Sequence, residues 1–181
     1  GGGGGGGGGG GERGGGGGGG RRVEEKRETN TEKKWEVRNI LEALEECDTN
    51  DIVCRLDGDD WLCDSDALTI IDHRYRTTGC NVLWTKHRWS FSNHNISGPL
   101  PRDADPYTHP WVSSHLKTFR KGVIENVKDA NFRGENGEYF KRIGDQAIYL
   151  PVLHQSSGNW HFEPIFRHPK RESSGNEAPK L

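Results

Sequence analysis

The chain has 181 residues and a formal net charge of −2. That balance gives no global basic field for nucleic acid, and no apolar run approaches the roughly 20 residues of a membrane span. The four cysteines, Cys47, Cys54, Cys63 and Cys80, fit no CxxC metal spacing. They read as reduced, mostly buried thiols of a soluble cytoplasmic protein.

Positions 1–11 and 14–20 are glycine, and 21–32 are charged without periodicity. Glycine runs bury nothing and carry the largest backbone entropy. Residues 1–32 therefore read as a glycine-rich or unassigned stretch and a linker. From Lys33 the pattern changes. Val37, Ile40, Leu41, Leu44 and Cys47 recur at helical spacing and predict an amphipathic helix over 33–47. Asp48-Thr49-Asn50 ends it, and 51–56 reads as a short buried strand. A helix capped by Ser65 or Asp64 comes next, reaches Tyr75 and ends before Gly79.

Residues 81–85 are a second strand, with 86–91 as an edge extension. The proline-rich stretch 92–110 is a long loop, of a length that is usually functional or disordered. Trp111–Arg120 joins a strand to a helix start. Another helix opens at Ile143, with a kink expected at Pro151. Residues 160–167 are a short strand, and 169–181 a polar, frayed tail. Alternation of this kind argues for one α/β domain over 33–168, with a mostly parallel sheet flanked by helices.

The chemistry concentrates in Asp57-Gly58-Asp59-Asp60, directly after the first strand. Close carboxylates repel and desolvate badly. A hard divalent cation such as Mg²⁺ or Mn²⁺ is the simplest compensation, usually shared with substrate phosphates. Gly58 lets the chain turn and a ligand approach. The same tetrad is also an ordinary polar turn, but Leu56 on one side and Trp61-Leu62 on the other do not suit a plain solvent turn. Asp145, before an apolar helical face, reads first as a helix N-cap. His115, Lys117 and Arg120 read either as a solvated basic helix start or as contacts to a diphosphate or acceptor. His154, His161 and His168 are weaker ligand candidates. Trp84, Trp89 and Trp111 are core residues by default.

The string Leu-Asp-Gly-Asp-Asp-Trp-Leu at 56–62 resembles the signature of family 2 glycosyltransferases, enzymes of the GT-A (Rossmann-like) fold. The resemblance implies that Asp57 and Asp59 are the metal pair, with Asp59 favoured as the ligand. It also implies that Asp57, Gly58, Asp59 and Asp60 border a nucleotide-sugar donor. Gly144-Asp145-Gln146-Ala147 is similar to the family's acidic pair at a helix start. Asp145 is then the general base toward an acceptor hydroxyl, and Gly144 stands where a first acid is common. Trp-x-x-Ser-His-Leu-Lys-Thr-Phe-Arg at 111–120 resembles a string found in a viral and bacterial subset. The activity that this resemblance implies is an inverting, metal-dependent transfer from a nucleotide sugar to a glycan, protein or other hydroxyl acceptor. Against the family pattern, the nucleotide-binding front end is incomplete or unassigned. Two alternatives stand beside this reading: an inactive, glycosyltransferase-like binding or structural subunit, and a metal-dependent nucleotidyl- or phosphotransferase.

Overall fold

The computed structural model describes residues 29–164, except 89, 90 and 93. The chain divides into Gly1–Glu32 and Lys33–Leu181, and the second part carries the fold. Expectations for 1–28 and for 165–181, His168 and the polar tail among them, fall outside the described residues, as does Trp89.

Among the described residues four helices and four strands follow in the order α1 (Trp35–Leu44), β1 (Ile52–Arg55), α2 (Ala67–Thr78), β2 (Val82–Thr85), β3 (Lys117–Arg120), α3 (Lys121–Glu125), α4 (Gly144–Ser156) and β4 (Trp160–Glu163). A 3-10 turn, Asp129–Phe132, lies between α3 and α4. α2 ends where Gly79 takes a left-handed conformation at φ 64°, which glycine adopts without a Cβ penalty. Before it, the Asp64 carboxylate accepts the Asp66 N–H at 2.8 Å. α4 runs through Pro151. No helix among the described residues is long and apolar enough to cross a membrane.

The sheet order is β1-β3-β2-β4. It is mixed, which corrects the expectation of a mostly parallel sheet. β3 pairs antiparallel with both β1 and β2, and only β2 with β4 is parallel. The reason lies in the link between β2 and β3. It is a loop, not a crossover helix, so the chain re-enters the sheet at the end it left and runs backwards. β1 and β2 still run in the same direction, with their carboxyl ends at one edge. β2 is internal and stops at Thr85, so the described residues 86–88 do not extend it as an edge strand; Arg88 makes an isolated bridge to Asn95. Nor are the cysteines mostly buried: Cys80 is, but Cys54 and Cys63 are exposed, on the edge strand β1 and in the loop after the acid turn.

Strand parity distributes the core. Val53, Val82, Trp84 and Phe119 pack with α1 and α4, whereas Ile52 and Leu83 pack with Ile71 and Tyr75 of α2. The Tyr75 hydroxyl meets the Thr118 hydroxyl at 2.9 Å on that second face. Tyr149 of α4 is fully enclosed and donates toward the carbonyls of Leu83 (3.0 Å) and Thr118 (3.3 Å). Tyr149→Phe is expected to cost about 1–2 kcal/mol, the loss of a satisfied buried hydroxyl. Urea denaturation with an unchanged m-value checks it.

Candidate functional site

Parity also builds the site. Arg55 follows Val53 on the face under α1 and α4, at the carboxyl end of β1. Arg55 and Trp84 both stand in register with Lys117 of β3. Two cations therefore lie directly across a strand pair, and Lys117 is only 1% exposed. Like charges so placed repel. Asp145, in the first turn of α4, comes between them: its Oδ1 is 2.6 Å from Arg55 Nη1 and 2.7 Å from Lys117 Nζ.

Three further carboxylates converge. Arg55 Nη2 pairs with Glu36 of α1 and lies 3.1 Å from Asp57 Oδ1. Asp60 turns toward His115 and His87, its oxygens 3.7 Å from His115 Nδ1 and 3.8 Å from His87 Nε2. The Asp60 N–H closes the acid turn on the Asp57 carbonyl at 3.1 Å. His115 is buried just before β3. Its Nε2 faces Asp57 Oδ2 at 3.3 Å, Asp145 Oδ2 at 3.7 Å and Lys117 Nζ at 3.3 Å.

Each inner carboxylate is thus split. One oxygen, Oδ1, is anchored on Arg55 or Lys117. The other, Oδ2, faces His115 Nε2. One ligand atom from each of Asp57, His115 and Asp145 lies within 4.8 Å of the other two, so the three could hold a metal ion. Two ligands about 2.1 Å from one small cation are at most about 4.2 Å apart, so small adjustments suffice. His115 Nδ1 is buried without a hydrogen-bond partner and faces Asp60. A proton on Nδ1 there makes Nε2 the acceptor, which meets Lys117 Nζ at 3.3 Å and is the atom an ion would take over. Among the described residues, Glu36, Asp57, Asp60 and Asp145 face two permanent cations, Arg55 and Lys117. The surplus matches one divalent ion. One imidazole with two carboxylates favours Mn²⁺ over Mg²⁺.

The charge environment fits this arrangement. Burial works to raise the Asp145 carboxyl, but Lys117, then Arg55 and His115, outweigh it and hold it below the usual range. Burial pulls the Lys117 ammonium down, against the bond to Asp145. Burial and the Lys117 charge lower His115 below the ordinary 6.5, against the pull of Asp57, Asp145 and Asp60. The folded value lies below the unfolded one. Stability from keeping the ring neutral is therefore complete above 6.5 and is lost as pH falls through the folded value. A proton on His115 also competes with an ion for Nε2. Mn²⁺ affinity is expected to hold level down to 6.5 and to fall only below it, as calorimetric titration across that range would show.

The residues singled out from sequence separate here. Asp57 and Asp145 enter the metal-sized group, and Asp60 borders it. Asp59 is exposed at the tip of the turn, outside the three-residue group. Gly58 is exposed too, and a side chain on it would meet nothing within 4 Å. His115 and Lys117 face the site, but Arg120 does not. Its guanidinium bonds the carbonyls of Cys80 (3.1 Å) and Tyr75 (3.3 Å) at the opposite end of the sheet. His154 stacks near Tyr107 with ring centroids 5.5 Å apart, and His161 lies 3.5 Å from Glu163. Neither belongs to the group. Trp111 is half-buried against Tyr149. Sequence reasoning missed Arg55, His87 and Glu36. Arg55 was open to discovery, since it shares strand parity with Asp57 two residues on.

Two shallow clefts of about 290 and 280 Å³ lie elsewhere, one beside Asn81 and Arg120, the other beside Arg102 and His154. Scans of protein-family models, curated proteins and solved structures return no match for this chain.

Proposed function

We propose that this chain is a metal-dependent glycosyltransferase that moves a sugar from a nucleotide-sugar donor to an acceptor hydroxyl with inversion. One observation carries the reading. Asp57, His115 and Asp145 bring one ligand atom each together beside the carboxyl ends of β1 and β2, in a site with two surplus negative charges. Ligands of α/β sheets bind outside such strand ends. The likeness of residues 56–62 to family 2 glycosyltransferases selects sugar transfer among diphosphate chemistries, and with it a GT-A-like architecture.

A bound divalent ion would supply charge neutralisation on a departing diphosphate. The residues do the rest. Arg55 and Lys117 supply donors that turn from the carboxylates to phosphate oxygens. Asp59, exposed at the turn tip and outside the three-residue group, borders the donor with Gly58 and Asp60. Asp145 is the base. Its Oδ2 is the oxygen offered to an ion, so the proton goes to Oδ1, which gains basicity as Arg55 and Lys117 turn to the diphosphate. The acceptor oxygen forms its bond to the anomeric carbon as the bond to the diphosphate breaks, and its proton passes to Asp145. Holding both substrates in line supplies much of the rate.

The test is thermal unfolding against a panel of nucleotide sugars with and without Mn²⁺, then chromatography of products from a labelled donor. One nucleotide sugar should raise the melting temperature by about 5–10 °C at a hundredfold excess over Kd, and only with Mn²⁺. Its label should pass to an acceptor. A flat panel indicates the binding-subunit alternative. Transfer of phosphate in place of sugar indicates the nucleotidyl- or phosphotransferase.

A further inference from the structure

Glu36 lies on α1, far in sequence from the acid turn, yet two separate features place its carboxylate at the site. The first is its ion pair with Arg55. That guanidinium is shared: Nη2 also lies 3.1 Å from Asp57 Oδ1, and Nη1 lies 2.6 Å from Asp145 Oδ1. The second is Gly144, the buried first residue of α4. A Cβ built there would land on the Glu36 carboxyl group. The room left by the missing side chain is filled by Glu36.

The consequence is electrostatic. A guanidinium divided among three carboxylates neutralises none of them fully. If Glu36 were absent, the charge of Arg55 would fall on Asp57 and Asp145 alone, and the site would lose one of its two surplus negative charges. The start of α4 also favours a carboxylate near it.

We propose that Glu36 is a positioning residue of the acid site: reaching over Gly144, it draws on Arg55 and so leaves the outer oxygens of Asp57 and Asp145 to a divalent cation. This rests on the reading of Asp57, His115 and Asp145 as a cation site.

The experiment is calorimetric titration of Mn²⁺ alone into the full chain, alongside thermal unfolding without metal. Glu36→Gln keeps the shape and removes the charge. It should bind Mn²⁺ about tenfold more weakly than the wild type, with a nearly unchanged melting temperature. Gly144→Ala should lower the melting temperature in the wild-type background and not in Glu36→Ala, because the two sites share one space. Glu36→Ala with Gly144→Glu returns a carboxylate from the helix side and should recover the affinity to within about threefold. Wild-type affinity in Glu36→Gln overturns the proposal and leaves the cation site standing. So does a folded double variant that binds no better than Glu36→Ala. A wild type that takes up no Mn²⁺ overturns the cation reading, and this proposal with it.

Discussion

Asp57→Asn is expected to lose Mn²⁺ binding and about 10³-fold in sugar transfer while its melting temperature stays near the wild type. Asp145→Asn is expected to lose a similar factor in transfer and stability as well. The difference comes from what each carboxylate holds. Asp57 shares Arg55 with two other acids, so its loss leaves that guanidinium paired. Asp145 stands between Arg55 and Lys117, which face each other across the β1–β3 register. Without its charge, buried Lys117 keeps His115 at 3.3 Å and the weaker pull of Asp57. Breaking a fully buried pair costs about 3–5 kcal/mol. Because the Asp145 side chain is 36% exposed, about 2–3 kcal/mol is the fitting figure here. Raising the pH should return part of it, since a Lys117 ammonium already pulled down by burial then sheds its proton. Mn²⁺ calorimetry and denaturant melts on both variants check the contrast. Unaltered Mn²⁺ affinity in Asp57→Asn would mean that the ion, if any, sits elsewhere.

The helices and the strands around the acid turn were legible because their signals are local. Helical spacing of Val37 and Leu44 marks α1, and Gly79 marks the end of α2. The direction of β3 was not legible. Lys117–Arg120 is short and runs straight into α3, so it reads as a junction, and no local pattern reports which way a strand runs. Its antiparallel pairing then decides the site: it brings Lys117 opposite Arg55 and places His115 beside Asp57. The acid tetrad was legible as a cluster but not in its facing. Spacing cannot tell which of Asp57, Asp59 and Asp60 turns inward. Strand parity from Arg55 to Asp57 carries Asp57 in, and the turn puts Asp59 at its exposed tip. Glu36 had no sequence signal, since a glutamate on a polar helix face is the ordinary case. Its role depends on a glycine 108 positions later that leaves it room.

The largest loss of stability is expected at Trp84. It is 0% exposed in the centre of the sheet and packs against Phe162 with ring centroids 6.1 Å apart. Trp84→Ala should cost about 3–5 kcal/mol, a large part of the roughly 5–15 kcal/mol that holds such a domain together. The indole also acts on the long loop between β2 and β3. Its N–H donates to the Gly98 carbonyl at 2.9 Å, and the Trp160 indole does the same to Leu100 at 2.9 Å. Two tryptophans thus pin the loop whose last residues include His115. Trp84→Phe separates packing from pinning, because it keeps an aromatic ring and loses the donor. It should cost about 1–2 kcal/mol. By loosening the support of a ligand side chain, it should also weaken Mn²⁺ binding about tenfold. If Trp84→Phe loses that stability yet binds Mn²⁺ like the wild type, His115 is held instead from its near end, where His87 meets the Ser114 hydroxyl at 2.9 Å. The loop at Gly98 is then scaffold alone.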